Sequence, residues 1–276
     1  MTDQAPPQTV GYLTRLKQRR RKAVRRFGMR RIRQLAEFQG RQSKIGDRPI
    51  LDRTYFDFLG PFEEGWVDIR RELDEILRHR DAIPLFQEVS PAQKKISKGE
   101  NWRTFILYGF GTPHEKNCAR MPVTTSLLQS VPNLQTAWFS ILSPRYHIPP
   151  HRGVTKGIVR CHMGMKIPSE RELCRMRVGD EMCVWKEGEL FVFDDTYEHE
   201  VWNDTDDERV VLIFDFDRPM RFWGRLLNKA FVAALKQTAY YREPKRNMAT
   251  FDARFEAAVD RANTMIEEMD DELADR

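Results

Sequence analysis

The chain holds histidines at positions 79, 114, 147, 151, 162 and 199. A lone histidine on a strand is ordinarily a hydrogen-bonded structural residue, so placement decides which of these matter. His151 closes HIPPH just after one apolar run, His162 lies inside the next, and His199 lies in FDDTYEHEVW after a third. Rigid β scaffolds present binding groups at strand ends and in the loops that follow. Non-haem iron oxygenases hold Fe(II) through two histidines and one carboxylate, leaving positions for a co-substrate and O2. That set commonly reads His-x-Asp/Glu with a second histidine further on. Here His151 is followed by Arg152 and Gly153, and the carboxylate is missing. By chemistry alone, His151 and His199 could still hold Fe(II), with water in the remaining positions. Asp195, four residues before His199, could steady one such water from behind.

A 2-oxoglutarate co-substrate needs cationic forks for its two carboxylates, and the planar guanidinium of arginine binds carboxylate bidentately. Arg160 and His162 alternate along one run, so on a strand they share a face. Val159, Cys161 and Met163 then point the other way, into apolar packing. Arg209 opens RVVLIFDFD ten residues after His199. An arginine facing inward from so apolar a run needs an anion. Asp204, Asp206 and Asp207 stand near enough to supply an internal one, so a salt bridge and a co-substrate site are both open to it.

These groups need a scaffold, and the pattern supplies one. Residues 102–111, 134–143, 158–168, 188–195 and 209–217 are short runs rich in aromatic and β-branched residues, punctuated by Gly, Pro, Asn and Asp. That pattern predicts a β-sandwich or barrel. Ahead of it, Trp66–His79 carries Trp66, Ile69, Leu73, Ile76 and Leu77 on one helical stripe. Behind it, Arg221–Tyr241 repeats an amphipathic helical spacing through Phe222, Trp223, Leu226, Leu227, Phe231 and Leu235. Apolar residues from Leu13 to Phe38 also follow one helical face, with Arg and Lys filling most of the rest. The expected organisation is a basic arm and linker (1–48), a helical lead-in (49–95), a β core (96–220) and C-terminal helices with an acidic tail (221–276).

Charge separates the arm from the body. The formal net charge is +5, yet residues 1–48 carry 14 basic and three acidic side chains, which leaves −6 on the remainder. A basic amphipathic helix suits an anionic lipid surface or nucleic-acid phosphate, or is simply solvated. No apolar run approaches the roughly 18–20 residues of a membrane span, and the first residues lack a secretory pattern. Four cysteines without CxxC spacing indicate neither a zinc knuckle nor a dithiol. Cys174 and Cys183 could pair, though a reduced state is the simpler expectation. Together these features lead us to expect a soluble intracellular protein.

The blocks HRG (151–153), RCHMGMKIP (160–168), WKEGELFVFDDTYEHEVWND (185–204) and the arginine ten residues beyond His199 resemble the aspartyl/asparaginyl β-hydroxylase family. The resemblance spans about residues 95–220, with several blocks in matching order. It implies a mainly β fold, a double-stranded β-helix (jelly-roll or cupin-like) core with flanking α-helices. It also implies a dioxygenase using Fe(II), 2-oxoglutarate and O2. That family is known for lacking the triad carboxylate, so Gly153 fits it. By resemblance, His151 and His199 are the iron ligands, and Arg160 and His162 meet the iron-chelating end of 2-oxoglutarate. Ser140 and Arg209 hold its distal carboxylate, and Trp102 lines the site.

One branch of that family hydroxylates Asp or Asn side chains, and a bacterial branch hydroxylates acyl chains of lipid A or ornithine lipid. The block FDFDRPMRFWGRLLNKAF (214–231) is more similar to the second. The leading expectation is therefore a lipid acyl-chain hydroxylase, cytoplasmic and peripheral on the inner face of the cytoplasmic membrane, held by residues 10–38. Asp/Asn hydroxylation of a peptide or small molecule is the alternative within the same chemistry. A non-catalytic barrel with a nucleic-acid-binding arm is the alternative of another class. The acidic body makes nucleic acid the weaker partner, and the oligomeric state is not encoded in any pattern.

Overall fold

The computed structural model describes residues 30–238, 247, 251–261 and 264. Residues 10–29 of the expected basic helix, the end of the Arg221–Tyr241 stretch and most of the acidic tail lie outside them. In chain order the regular elements are α1 (30–42), β1 (Ile50–Leu51), α2 (Gly60–Glu64), α3 (Trp66–Leu77) and α4 (Phe86–Val89). Then follow β2 (Trp102–Gly109), β3 (Thr112–Pro113), α5 (Glu115–Arg120), α6 (Pro122–Ser130), β4 (Leu134–Leu142), β5 (Tyr146–His151) and β6 (Ile158–Lys166). The last are β7 (Cys174–Val178), β8 (Glu181–Val184), β9 (Leu190–Phe193), β10 (His199–Asn203), β11 (Arg209–Asp217) and α7 (Phe222–Leu235), with α8 at 251–261.

The strands form two sheets, β1-β9-β6-β11-β4-β2-β3 and β5-β10-β7-β8. From β4 to β11 the chain winds between them, β4, β6, β9 and β11 joining the larger sheet and β5, β7, β8 and β10 the smaller. All the strand pairs are antiparallel. This is the double-stranded β-helix that the resemblance implies. Side chains alternate across each strand of the larger sheet. Ala137, Phe139 and Ile141, Val159, Cys161 and Met163, and Val210, Leu212 and Phe214 turn outward. There they meet Phe62 of α2 and Ile69, Leu73 and Ile76 of α3 in one core. Trp102, Leu142, Phe193, Val211 and Ile213 turn inward and meet Ile148, Met176, Val178 and Val201 of the smaller sheet.

The structure departs from the sequence pattern in three places. The smaller sheet was not legible as strands; His151 and His199, expected at strand ends or in the loops that follow, are the last residue of β5 and the first of β10. These strands are short and carry Pro149, Pro150 and several charges, which blurs any alternation. Strand β5 is an edge strand, where a proline without an N–H is tolerated. Within the lead-in, β1 adds to the larger sheet beside β9. Helix α7 buries Gly224, Asn228 and Val232, not the apolar stripe expected from spacing. Asn228 donates to Gly157 O (2.9 Å) and accepts from Gln39 Nε2 of α1 (3.3 Å). A Cβ at Gly224 would lie 2.6 Å from Gln42 Cβ, so the helix docks through a small residue and a polar one. The four cysteines are free thiols.

One ion pair ties the frame together. Asp194, at the end of β9, and Arg218, just past β11, are both fully buried and hydrogen-bonded to each other. Arg218 also donates to Gly46 O (3.0 Å), which anchors the segment between α1 and β1. Removing one partner of such a pair strands the other charge in the interior, at a cost of about 3–5 kcal/mol. Asp194→Ala should lower the urea-unfolding free energy by that amount, and an unchanged midpoint would contradict this role.

Candidate active site

The winding of the two sheets leaves a cavity of about 660 Å³ between them. His151, the last residue of β5, and His199, the first of β10, are cross-strand neighbours. Their rings both line the cavity, with centroids 4.1 Å apart. Each Nδ1 donates to a backbone carbonyl two residues earlier, His151 to Pro149 O and His199 to Tyr197 O, both at 2.9 Å. A ring nitrogen that donates to a carbonyl carries the proton, so each Nε2 keeps its lone pair for a ligand. Burial lowers the pKa of both rings, that of His199 to about 3, which keeps them neutral. Two neutral, pre-oriented imidazoles suit a divalent cation. Among the described residues no cluster of three or more His, Cys, Asp or Glu side chains could share one.

The missing carboxylate has a steric explanation. A Cβ on Gly153 would lie 2.1 Å from Asp195 Oδ1, so the Asp195 carboxyl fills the volume that a side chain at position 153 would use. Gly153 N–H also donates to Asp195 O at 2.7 Å, which locks the two segments together. Burial raises the Asp195 carboxyl to about 7, against the opposing pull of Arg160, whose Nη2 is 3.6 Å away.

At the other end sits Arg209, 1% exposed. Its guanidinium lies over the Trp185 ring at 4.7 Å, makes long contacts to Ser140, 3.4 Å to Oγ and 3.5 Å to O, and hydrogen-bonds the buried Cys174 thiol. Its Nε has no partner. Of the nearby aspartates, Asp204 pairs with Arg175 (2.9 Å) and Asp206 with Arg145 (2.7 Å), and among the described residues the Asp207 carboxylate makes no ion pair. None forms an ion pair with Arg209, which settles the internal-salt-bridge alternative. Burial lowers Arg209 to about 10, so it stays cationic at neutral pH. His162, 4% exposed, faces the same cavity with neither ring nitrogen partnered, and burial pushes its pKa well down. Trp102 Nε1 donates to Ser140 Oγ at 3.0 Å, and its ring stacks on Phe86 at 3.8 Å. Unmade hydrogen bonds on buried groups cost about 1–3 kcal/mol each, so Arg209 and His162 are poised for an anionic, hydrogen-bonding ligand.

All eight residues singled out from the sequence, His151, His199, Asp195, Ser140, Trp102, Arg160, His162 and Arg209, line this cavity. One partner of these residues was missed. Arg160 pairs across the strands with Asp215 of β11, donating from Nε (2.7 Å) and Nη2 (2.9 Å), and lies 5.1 Å over the Trp138 ring. Thr136 holds the same carboxylate at 2.6 Å. The signal was present: Asp215 is six residues from Arg209 in one strand, so the two share the inward face.

If Asp195 and the absent side chain at 153 compete for one volume, the effects of changing them are coupled. Gly153→Ala should cost about 1–3 kcal/mol of stability, whereas in an Asp195→Ala background the same change should be nearly neutral. Equal costs in both backgrounds, read by urea unfolding, would refute the steric account.

Residues 63–219 match the family model described as aspartyl/asparaginyl beta-hydroxylase. The chain is 35% identical to an ornithine lipid ester-linked acyl 2-hydroxylase of Rhizobium tropici over 93% of its own length and 91% of that protein. It is 31% identical to the human aspartyl/asparaginyl beta-hydroxylase over 60% of its length, spanning only 22% of that larger protein. Among solved structures, a prolyl-4-hydroxylase of Pseudomonas putida overlaps distantly, at 19% identity and a TM-score of 0.35 over 55% of this chain and 87% of that one. With the family model covering more than half of its residues, the chain is a member of the aspartyl/asparaginyl beta-hydroxylase family of hydroxylases.

Proposed function

We propose that this protein is a 2-oxoglutarate- and Fe(II)-dependent dioxygenase that hydroxylates a fatty-acyl chain of a membrane lipid, of the ornithine lipid or lipid A type. The observation that carries the reaction class is the buried, ion-pair-free Arg209 at one end of a cavity whose other wall holds two Nε2-presenting histidines. Arg209 offers its fork to the distal carboxylate of 2-oxoglutarate. Ser140 already accepts from Trp102, so its own O–H is left to donate to the same carboxylate. Bound Fe(II), with 2-oxoglutarate and O2, would supply the oxidising power for hydroxylating an unactivated carbon, with succinate and CO2 as co-products. His151 and His199 would hold the metal, and Asp195 would accept a hydrogen bond from water beside them. His162 lines the wall between the two ends, and Arg160 stands beside Asp195 at the histidine end. The protein's share is orientation, charge and the exclusion of bulk water.

The substrate reading rests on the lining beyond these groups and on the Rhizobium relative. Besides these groups the cavity lining includes Ile106, Tyr108, Phe110, Pro113, Val154 and Leu235, side chains suited to an acyl chain. The Arg160 fork is committed to Asp215, which disfavours it as a receptor for an aspartyl carboxylate. The basic residues ahead of β1 would tether the enzyme to the anionic inner face of the cytoplasmic membrane, each contributing on the order of 1 kcal/mol near the surface.

Purified protein given Fe(II) and carboxyl-labelled 2-oxoglutarate should release labelled CO2, and His199→Ala should abolish it. Equal release by the variant would sink the metal assignment. Arg209→Ala should raise the KM for 2-oxoglutarate about 30-fold or more, the equivalent of losing roughly 2 kcal/mol from a buried charge contact. An unchanged KM would return Arg209 to a structural role. Lipid mass spectra of cells with and without the protein should differ by species carrying one added oxygen on an acyl chain. Their absence, with turnover on an aspartyl peptide, would favour peptide hydroxylation.

A further inference from the structure

Helix α7 presents its apolar residues to solvent. Phe222 is 60% exposed, Trp223 65%, Leu226 52% and Leu227 39%. With about 100° per residue, these four, together with the exposed Ala230, Ala233 and Ala234, fall on one face opposite the buried Gly224, Asn228 and Val232. The basic residues Arg225, Lys229 and Lys236 fall together along one border of that face, Arg221 precedes it, and the helix contains no acidic residue. An exposed apolar face this wide, carrying two adjacent aromatic rings, is unusual on a free protein surface. A cationic border with Trp and Phe on the apolar side is the arrangement of a helix lying in a lipid interface.

The neighbours of α7 fit the same surface. Helix α1 abuts it through Gln39–Asn228 and Gln42–Gly224 and carries exposed Arg30, Arg31, Arg33 and Arg41. Beneath α7, Asn228 grips the 152–157 loop at Gly157 O, and Thr155 in that loop donates to Gln39 Oε1 at 2.8 Å. That loop follows His151 directly, and its Val154, 44% exposed, lines the cavity together with Leu235 at the far end of α7. Leu235 lies on the buried side of α7, so the helix reaches the cavity with that side near its C-terminal end, about three helical turns from Trp223, while its other side carries the exposed apolar face.

We infer that α7 is a membrane-docking helix: Phe222, Trp223, Leu226 and Leu227 insert into an anionic bilayer, and this seats the apolar mouth of the cavity at the lipid surface. The inference rests on the acyl-chain reading for its purpose. It differs from the tethering role of the N-terminal basic residues in being apolar, and so resistant to salt. A docked mouth would admit an acyl chain from the bilayer without its passage through water.

The test uses the full chain with vesicles of phosphatidylcholine containing phosphatidylglycerol, without co-substrate. At high salt, Phe222→Ser/Trp223→Ser/Leu226→Ser should partition onto vesicles about tenfold or more weaker than the unmodified protein, with an unchanged melting temperature. In the unmodified protein, brominated lipid should quench the Trp223 emission, obtained as the difference from Trp223→Phe. Equal partitioning of the two proteins assigns binding to the N-terminal residues alone and overturns the inference. It is equally overturned if Trp223 is already shielded from acrylamide before vesicles are added, because another segment of the chain or a second copy then covers the face. Vesicle binding is read without turnover, so its failure leaves the proposed reaction standing. Failure to hydroxylate lipid would likewise leave a positive docking result standing.

Discussion

A guanidinium buried between two sheets without a carboxylate is the constraint around which this molecule is arranged. Arg209 is held by the Trp185 ring, by long contacts to Ser140 and by the Cys174 thiol, and none of these neutralises it. Removing a charge from water without pairing it is among the most unfavourable changes a fold can make. The rest of the structure has to hold it there. Apolar neighbours in the same strand, Val210, Val211 and Leu212, are themselves fully buried and fix the backbone. Val211 pairs with Ser140 across β11 and β4, which brings that hydroxyl near the guanidinium. In such a setting the proposed dicarboxylate co-substrate would satisfy groups the protein leaves unpaired, and its binding would depend on charge as well as shape.

The larger sheet divides its labour by parity. Outward residues of β4, β6 and β11 build an aromatic and aliphatic core with α2 and α3, including the stacked Phe62–Phe214 pair at 4.9 Å. Inward residues of the same strands carry Ser140, Arg160, His162, Arg209 and Asp215. Each strand therefore contributes stability on one face and chemistry on the other, and a one-residue slip would exchange them. The Asp194–Arg218 pair sits where β9 and β11 end and the α1–β1 segment passes, so it secures the ends of strands that cannot slip without losing both functions.

The smaller sheet does the finer positioning. Histidines 151 and 199 meet because β5 and β10 pair, and their Nδ1 hydrogen bonds to local carbonyls aim each ring from its own backbone. Behind them Asp195 and Gly153 share one volume, so the usual third carboxylate is absent at 153 for lack of room while a carboxyl remains close by. The same 152–157 segment is gripped by Asn228 of α7, which links the wall bearing the two histidines to the helix with the exposed aromatic face.

Much of this was legible along the chain. The larger sheet announced itself because β-branched and aromatic runs alternate over eight or nine residues in β2, β4, β6 and β11. The inward parity of Arg160 and His162 followed from the same alternation. Helix α3 was read from its stripe because that stripe is buried. The smaller sheet escaped because its strands are short, polar and interrupted by Pro149 and Pro150. Pairing between segments about fifty residues apart, not local pattern, makes β5 and β10 strands. Helix α7 was legible as a helix, but spacing cannot say which face a helix buries when Asn228 and Gly224 have docking partners and Trp223 has none. Residue types and period thus determined which side chains could do chemistry and which strand faces they share. Only tertiary structure decided that His151 meets His199, that Asp215 occupies Arg160, and that Arg209 is left without an anion, because each depends on contacts between segments distant in the chain.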